Sequence, residues 1–207
     1  AETMVLLEDL YRPYKPKRRT RATIAKEKGL EPLAGVITLQ MIKTPLIEEA
    51  AKYVDAEKGV TTAEEAIAGA SDIIAESISD EADYRTHIRD LTVKKGRMTS
   101  TAKDPETESV YEMYYDFDEP VAKLAGHRIL AVNRGEKEKF LTVKIEAPQE
   151  DILRYLEKKV IVRDNPQTNE VLRDVVRDAY DRLIAPAIER EIRSTLTESA
   201  EDGAIRV

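Results

Sequence analysis

Apolar residues recur at spacings of three and four through most of this chain, and the interruptions between those stripes mark the element boundaries. Behind Thr62-Ala63-Glu64-Glu65, whose hydroxyl and carboxylate have the spacing of a capping box, Ile67, Ala70, Ile74 and Ile78 share one face. That pattern predicts a helix to about Ser79, after which Asp80 offers a second cap, Tyr84, Ile88 and Leu91 form the next stripe, and Gly96 stops it. The widest stripe is Val171, Leu172, Val175, Val176, Ala179, Tyr180, Leu183 and Ile184. Pro186 is expected to restart or kink that helix, and Ile188, Ile192 and Leu196 carry the stripe onward.

Shorter elements follow from punctuation. Glu2 to Leu10 reads as helix stopped by Pro13 and Pro16, Thr20 caps a helix from Arg21 to Lys28 closed by Gly29, and Pro32 and Pro45 open helices near 31–41 and 45–54. Residues 151–162 are helical again until Asn165-Pro166. Strand signals are few. Phe140 to Glu146 alternates cleanly and Arg97 to Ala102 weakly, so the two are expected to pair as a small ribbon, with helices at 109–117 and 120–135 packed on it. The expected fold is therefore mainly α, a multi-helical array with helix-turn-helix-like pairs and at most a two-stranded β ribbon. Its expected parts are 1–60 with the N-terminal helices, 61–162 with any strands, and 163–207 with long amphipathic helices.

Composition agrees with long solvated helices: 35% of the 207 residues are charged, 5% are aromatic, and Trp is absent. No cysteine is present, which removes disulfides, thiolate metal sites and thiol nucleophiles and suits a cytoplasmic protein. No apolar run approaches the roughly 20 residues that span a bilayer, so no membrane partner is expected. A chain that opens on Ala1 and ends on Ala204-Ile205-Arg206-Val207 reads as an excised piece of a longer protein, and a monomer is the expectation for such a fragment.

Charge changes the picture at one place. From Arg12 to Arg21 the chain carries Arg12, Lys15, Lys17, Arg18, Arg19 and Arg21 with no acid among them, +6 in a chain whose net charge is −7, leaving −13 on the remainder. Like charges in a row resist compaction and call for solvent or an anionic partner. One reading is a nucleic-acid arm, its cations on phosphates, its prolines holding it extended, and Tyr11 and Tyr14 stacking on bases or packing at its root. The other is an internal strap lying on the protein's own acidic helices. Composition does not separate them.

Other candidate chemistry is sparse. His87 borders an apolar stripe and His127 starts a helix, and neither has a second histidine at ligand spacing, so both read as packing or surface residues. Asp116, Asp118 and Glu119 cluster as metal ligands or acid–base groups would, but Asp118 capping a helix opened by Pro120 is the simpler reading. No phosphate loop or nucleophile elbow occurs. The expectation is no enzyme, no cofactor and no metal.

Three stretches carry a family resemblance. They are Leu7-Glu8-Asp9-Leu10-Tyr11-Arg12-Pro13-Tyr14-Lys15-Pro16-Lys17-Arg18-Arg19-Thr20-Arg21 with the residues to Ala34 behind it, His127-Arg128-Ile129-Leu130-Ala131-Val132-Asn133-Arg134-Gly135-Glu136, and Asp178-Ala179-Tyr180-Asp181-Arg182-Leu183-Ile184-Ala185-Pro186-Ala187-Ile188-Glu189-Arg190-Glu191. Together, and in this order, they resemble the bacterial Tex family of transcription accessory proteins; Gly126 stands where that pattern more often has Ser. The resemblance implies part of a helical N-terminal region ahead of RNase H-like, helix-hairpin-helix and OB-fold modules, with no catalytic residue in it. It further implies a scaffold in a protein that binds RNA or DNA, with transcription-machinery proteins as further partners. The candidate nucleic-acid contacts are then Arg12, Tyr14, Lys15, Lys17, Arg18, Arg19 and Arg21. The alternative is a protein-docking module whose arm straps onto acidic helices or a protein partner.

Overall fold

The computed structural model describes residues 2–11 and 19–206. The fold is mainly helical with one small sheet, as the spacing predicts. In order it runs α1 (Glu2–Tyr11), α2 (Arg21–Glu27), α3 (Glu31–Leu39), α4 (Leu46–Ala51), α5 (Ala63–Asp80), α6 (Ala82–Lys95), β1 (Arg97–Ala102), β2 (Asp116–Pro120), α7 (Gly126–Lys137), β3 (Leu141–Glu146), α8 (Gln149–Val160), α9 (Asn169–Asp178), a π-helical turn (Ala179–Ile184) and α10 (Ala185–Arg206). The chain divides into two compact units, each discontinuous in sequence. One comprises Asp9–Arg85 and Glu150–Ala185, the other Ala1–Glu8, Thr86–Gln149 and Pro186–Val207.

The first, helical unit is organised on α5. Its inner face buries Ala66, Ala70, Ile73, Ile74, Ala75 and Ile78, and α2, α3, α4, α9 and the π turn all pack on it. Small residues set how closely they approach. A Cβ at Gly69 would stand 2.3 Å from Leu30 Cδ1 and 3.4 Å from Ala25 Cβ, so the side chains of α2 and its C-terminal turn rest directly on the α5 backbone there. Gln40, at the end of α3 in the left-handed conformation (φ 59°), ties two loops together. Its Nε2 donates to the Val160 carbonyl (2.8 Å), its Oε1 accepts from the amides of Val162 and Arg163, and Asn165 Nδ2 donates back to the Gln40 and Ile42 carbonyls. Deeper still, Arg85 Nε meets Asp9 Oδ1 at 3.2 Å with both side chains fully buried, and Arg85 Nη1 donates to the Ser79 carbonyl.

The second unit holds the sheet, and here the structure departs from the ribbon expectation. The strand order is β2-β1-β3, all antiparallel, so β1 and β3 pair as expected and a third strand flanks β1 on its other side. The segment expected to be helical at 109–117 is a 3-10 turn (Glu112–Tyr114) followed by that strand, and Asp118 lies within β2 rather than capping a helix. Its pattern hid it: of five residues only Phe117 is an inward apolar side chain, and Glu119 occupies the other inward position, paired with Arg128. The inner face carries Met98, Phe117, Val143 and Ile145, while Arg97, Thr99, Asp116, Asp118 and Lys144 face out. The helix expected from Pro120 begins at Gly126, because a 3-10 turn and an extended Leu124 come first.

One further boundary moved. Asp80 is the last residue of α5, with Glu81 alone extended before α6. At Pro186 the regular helix restarts, as expected, with α10 beginning at Ala185 and no gap in the helical backbone before it. The preceding turn widens to π, and the Ala185 amide donates to the Tyr180 carbonyl five residues back, a spacing that makes room for the proline ring.

Candidate nucleic-acid interface

The basic arm enters the described residues at its C-terminal end. Arg12, Tyr14, Lys15, Lys17 and Arg18 lie outside them; Arg19 and Arg21 lie within. Thr20 ends the arm and caps α2 as predicted: its Oγ1 accepts from the Thr23 amide (3.2 Å) while Thr23 Oγ1 accepts from the Thr20 amide (2.7 Å), a reciprocal capping box. The same Thr20 hydroxyl donates to Glu76 Oε2 on α5 at 2.8 Å. One side chain therefore both starts a helix and pins the arm's end to its neighbour.

Acids on α5 explain the electrostatics there. Glu65, Asp72 and Glu76 are spaced seven and four apart, which places them on one stripe of the helix. Arg21 and Lys28 are likewise seven apart on the α2 segment, and each lies in the field of a carboxylate of that stripe, Arg21 with Asp72 and Lys28 with Glu65. Arg182 closes the cluster from the π turn. Its Nε and Nη2 bond both oxygens of Asp178 (3.1 and 2.9 Å), and Nη2 stands 3.8 Å from Asp72 Oδ1. Partial burial raises the Asp72 carboxyl above its ordinary value, opposed by Arg182 and Arg21 and helped by the charge of Asp178. Hydrogen bonding to Asp178 raises Arg182, with the carboxylates of Asp178, Asp72 and Glu76 adding to it against the effect of burial. Arg19 forms a surface pair with Glu27 at 2.8 Å, with both side chains more than half exposed.

At its C-terminal end, then, Thr20 is bonded to Glu76 and Arg19 is paired with Glu27, while Arg21 lies in the field of Asp72. Charge singled out both arginines and local spacing the Thr20 cap, but neither pointed to Glu76, Asp72 and Arg182 as their surroundings. The seven- and four-residue spacing of acids on α5 was the available signal, masked by the apolar stripe that dominates the same helix. The Thr62 cap is also partly as expected. Its hydroxyl accepts from the Glu65 amide, but the Glu65 carboxylate reaches one residue further, to the amide and hydroxyl of Thr61, and those bonds hold its pKa below the ordinary value.

His87 and His127 are both exposed, and Asp118 and Glu119 are engaged with Arg97 and Arg128. Among the described residues no three histidines or carboxylates are grouped as metal ligands.

A family model described as Tex central region-like matches residues 43–207. An uncharacterized Bacillus subtilis protein, YdcI, is 51% identical over 97% of this chain. The transcriptional accessory protein Tex of Neisseria gonorrhoeae is 34% identical over all of it. Human S1 RNA-binding domain-containing protein 1 is 27% identical over 99%. The chain spans 28% of the length of each of the two bacterial relatives and 22% of the human one. With a family match across most of its residues, the chain belongs to the Tex family, whose named members include transcriptional accessory proteins.

Proposed function

We propose that this chain is a non-catalytic helical scaffold within a cytoplasmic, nucleic-acid-associated transcription accessory protein, and that the segment Arg12–Arg21 is its contact with RNA or DNA. The observation that carries the reading is the run itself: six cations and no acid, in a chain that is otherwise −13. A relative named for its S1 RNA-binding domain and another named as a transcriptional accessory protein support the setting. The anchoring of Thr20 to Glu76 gives such an arm a fixed point of departure from α5.

A second reading has its own support. Because Arg19 pairs with Glu27 and Arg21 lies beside Asp72, the same residues also suit a strap on the protein's own acids or on an acidic protein partner. Binding of labelled RNA and of single- and double-stranded DNA at two salt concentrations separates the two. For the nucleic-acid reading, changing Lys15, Lys17, Arg18 and Arg19 to Ala weakens binding and flattens the dependence of log affinity on log salt, by about 0.7 per lost contact on single strands or about 0.9 on duplex. Equal binding by wild type and variant, or binding by neither, overturns it.

A further inference from the structure

The sheet unit has an open strand edge with a chemistry opposite to that of the arm. β2 is flanked by β1 on one side and, among the described residues, by no strand on the other. At the two ends of their ladder the Val121 amide donates to the Gly96 carbonyl and the Ala102 amide to the Tyr115 carbonyl. Positions 115, 117, 119 and 121 therefore exchange bonds with β1, and the amides and carbonyls of Asp116 and Asp118 turn to the open edge. The run that leads into and through this strand, residues 104–119, contains seven carboxylates and no Lys, Arg or His. Arg97 answers Asp118 at 2.6 Å and Arg128 answers Glu119, whereas Glu106, Glu108, Glu112 and Asp116 form no ion pair among the described residues. The same run displays Val110 and Met113, which at 85% and 69% are the most exposed large apolar side chains described.

Open edges are ordinarily defended by brevity, proline and charge. β2 has all three, with five residues, Pro120 at its end and carboxylates along it. A defence built only of negative charge is selective, however: it repels acidic segments and nucleic acid while attracting a basic strand.

We infer that the β2 edge docks an extended, basic segment of a protein partner as a fourth strand. The backbone of that segment pairs with the free amides and carbonyls of Asp116 and Asp118, its Lys and Arg side chains meet the carboxylates of residues 104–118, and its apolar side chains cover Val110 and Met113. Charge complementarity identifies the partner's chemistry, and the site is independent of whether the arm binds nucleic acid.

The test uses the 207-residue chain and a fluorescein-labelled peptide of alternating Lys and Val, read by anisotropy and by hydrogen exchange. A second peptide of identical charge, N-methylated on the backbone nitrogens that face the protein, removes strand pairing alone. The expected results are binding of the first peptide and not the second, slowed exchange at the amides of Asp116 and Asp118, and about tenfold weaker binding by the double variant Glu112→Lys, Asp116→Lys. Both substituted side chains are exposed, so the variant should retain the wild-type melting temperature. Equal binding of both peptides, protection elsewhere, an unaffected double variant, no binding at all, or protection of these amides by an RNA oligonucleotide instead would each overturn the proposal.

Discussion

The helical unit and the sheet unit solve the same packing problem with different materials. In the helical unit a single amphipathic helix, α5, collects its neighbours on its apolar face, with charge as a stripe along its flank, in surface pairs such as Arg19–Glu27, and in the buried pair Asp9–Arg85. The sheet unit has no such axis. Its core is assembled from short strands, Tyr114 edge-on to Phe117 (centroids 5.4 Å apart), Tyr111 tilted against Phe140 and α7 over β3. Beside its buried Ile188, Ile192 and Ala200, α10 makes polar links to its neighbours in the sheet unit: Arg193 to Glu136 and Asn133, Arg89 to Glu191, and Glu189 to the Ile145 amide. Helix-on-helix packing repeats one residue type at one spacing, whereas a small sheet is held by individual contacts that share no period.

The sharpest way to break the comparison is the buried pair. Asp9→Ala leaves Arg85 charged and sealed from water, and should destabilise the helical unit by about 3–5 kcal/mol in urea unfolding. A loss under about 1 kcal/mol would mean that water reaches Arg85 and that this unit tolerates charge as the sheet unit does. Next come the two glycines where a helix touches its neighbour. A Cβ at Gly135 would lie 2.4 and 2.9 Å from two carbons of Leu141 and 3.2 Å from Tyr111, while at Gly69 only the tip of Leu30 is closer than 3 Å. Gly135→Ala should therefore cost about 1–3 kcal/mol, and Gly69→Ala less, since Leu30 can rotate away and Ala returns up to about 1 kcal/mol of helix propensity. The reverse order in thermal melts would show the sheet unit to be the softer of the two.

Smaller effects test the flank of α5 and the sheet's centre. Thr20→Val removes the α2 cap and the bond to Glu76 together, a loss of about 1–2 kcal/mol visible as faster amide exchange in α2. Ser100, fully buried between Phe117 and Val143 with its hydroxyl unpartnered, should gain about 1 kcal/mol on change to Ala. The pH dependence is the finest probe. The Asp72 pKa is raised on folding, so the folded state holds this proton more tightly, and stability falls as pH rises from the ordinary 3.8 through the folded value; Asp72→Asn should abolish that slope. Glu65 runs the other way, its contribution present above the ordinary 4.5 and lost as pH falls through the lowered folded value.

Legibility tracked these differences residue by residue. Ile74, Ile78, Val175 and Val176 announced α5 and α9 because a helix that buries one face must repeat it every three or four residues. Leu141, Val143 and Ile145 announced β3 by alternation. Asp116-Phe117-Asp118 announced nothing, because a short edge strand needs only one inward apolar residue and the rest of its pattern is set by what it must repel. At the arm, Arg19 and Arg21 stood out by charge, but charge alone does not say which carboxylate answers it, and Glu76 lies 56 residues from Thr20.

By itself, then, the sequence determined the helical class, most element boundaries, the basic run and the family, since each is carried by local spacing or by residues in order. Tertiary structure alone decided that α2 lies along the acid stripe of α5, that Asp9 finds Arg85, that Pro186 is absorbed by a π turn, and that β2 forms an open acidic edge. Those outcomes depend on which surfaces meet across long stretches of chain, where burial, close approach at glycine and charge pairing select among partners that the sequence merely makes available.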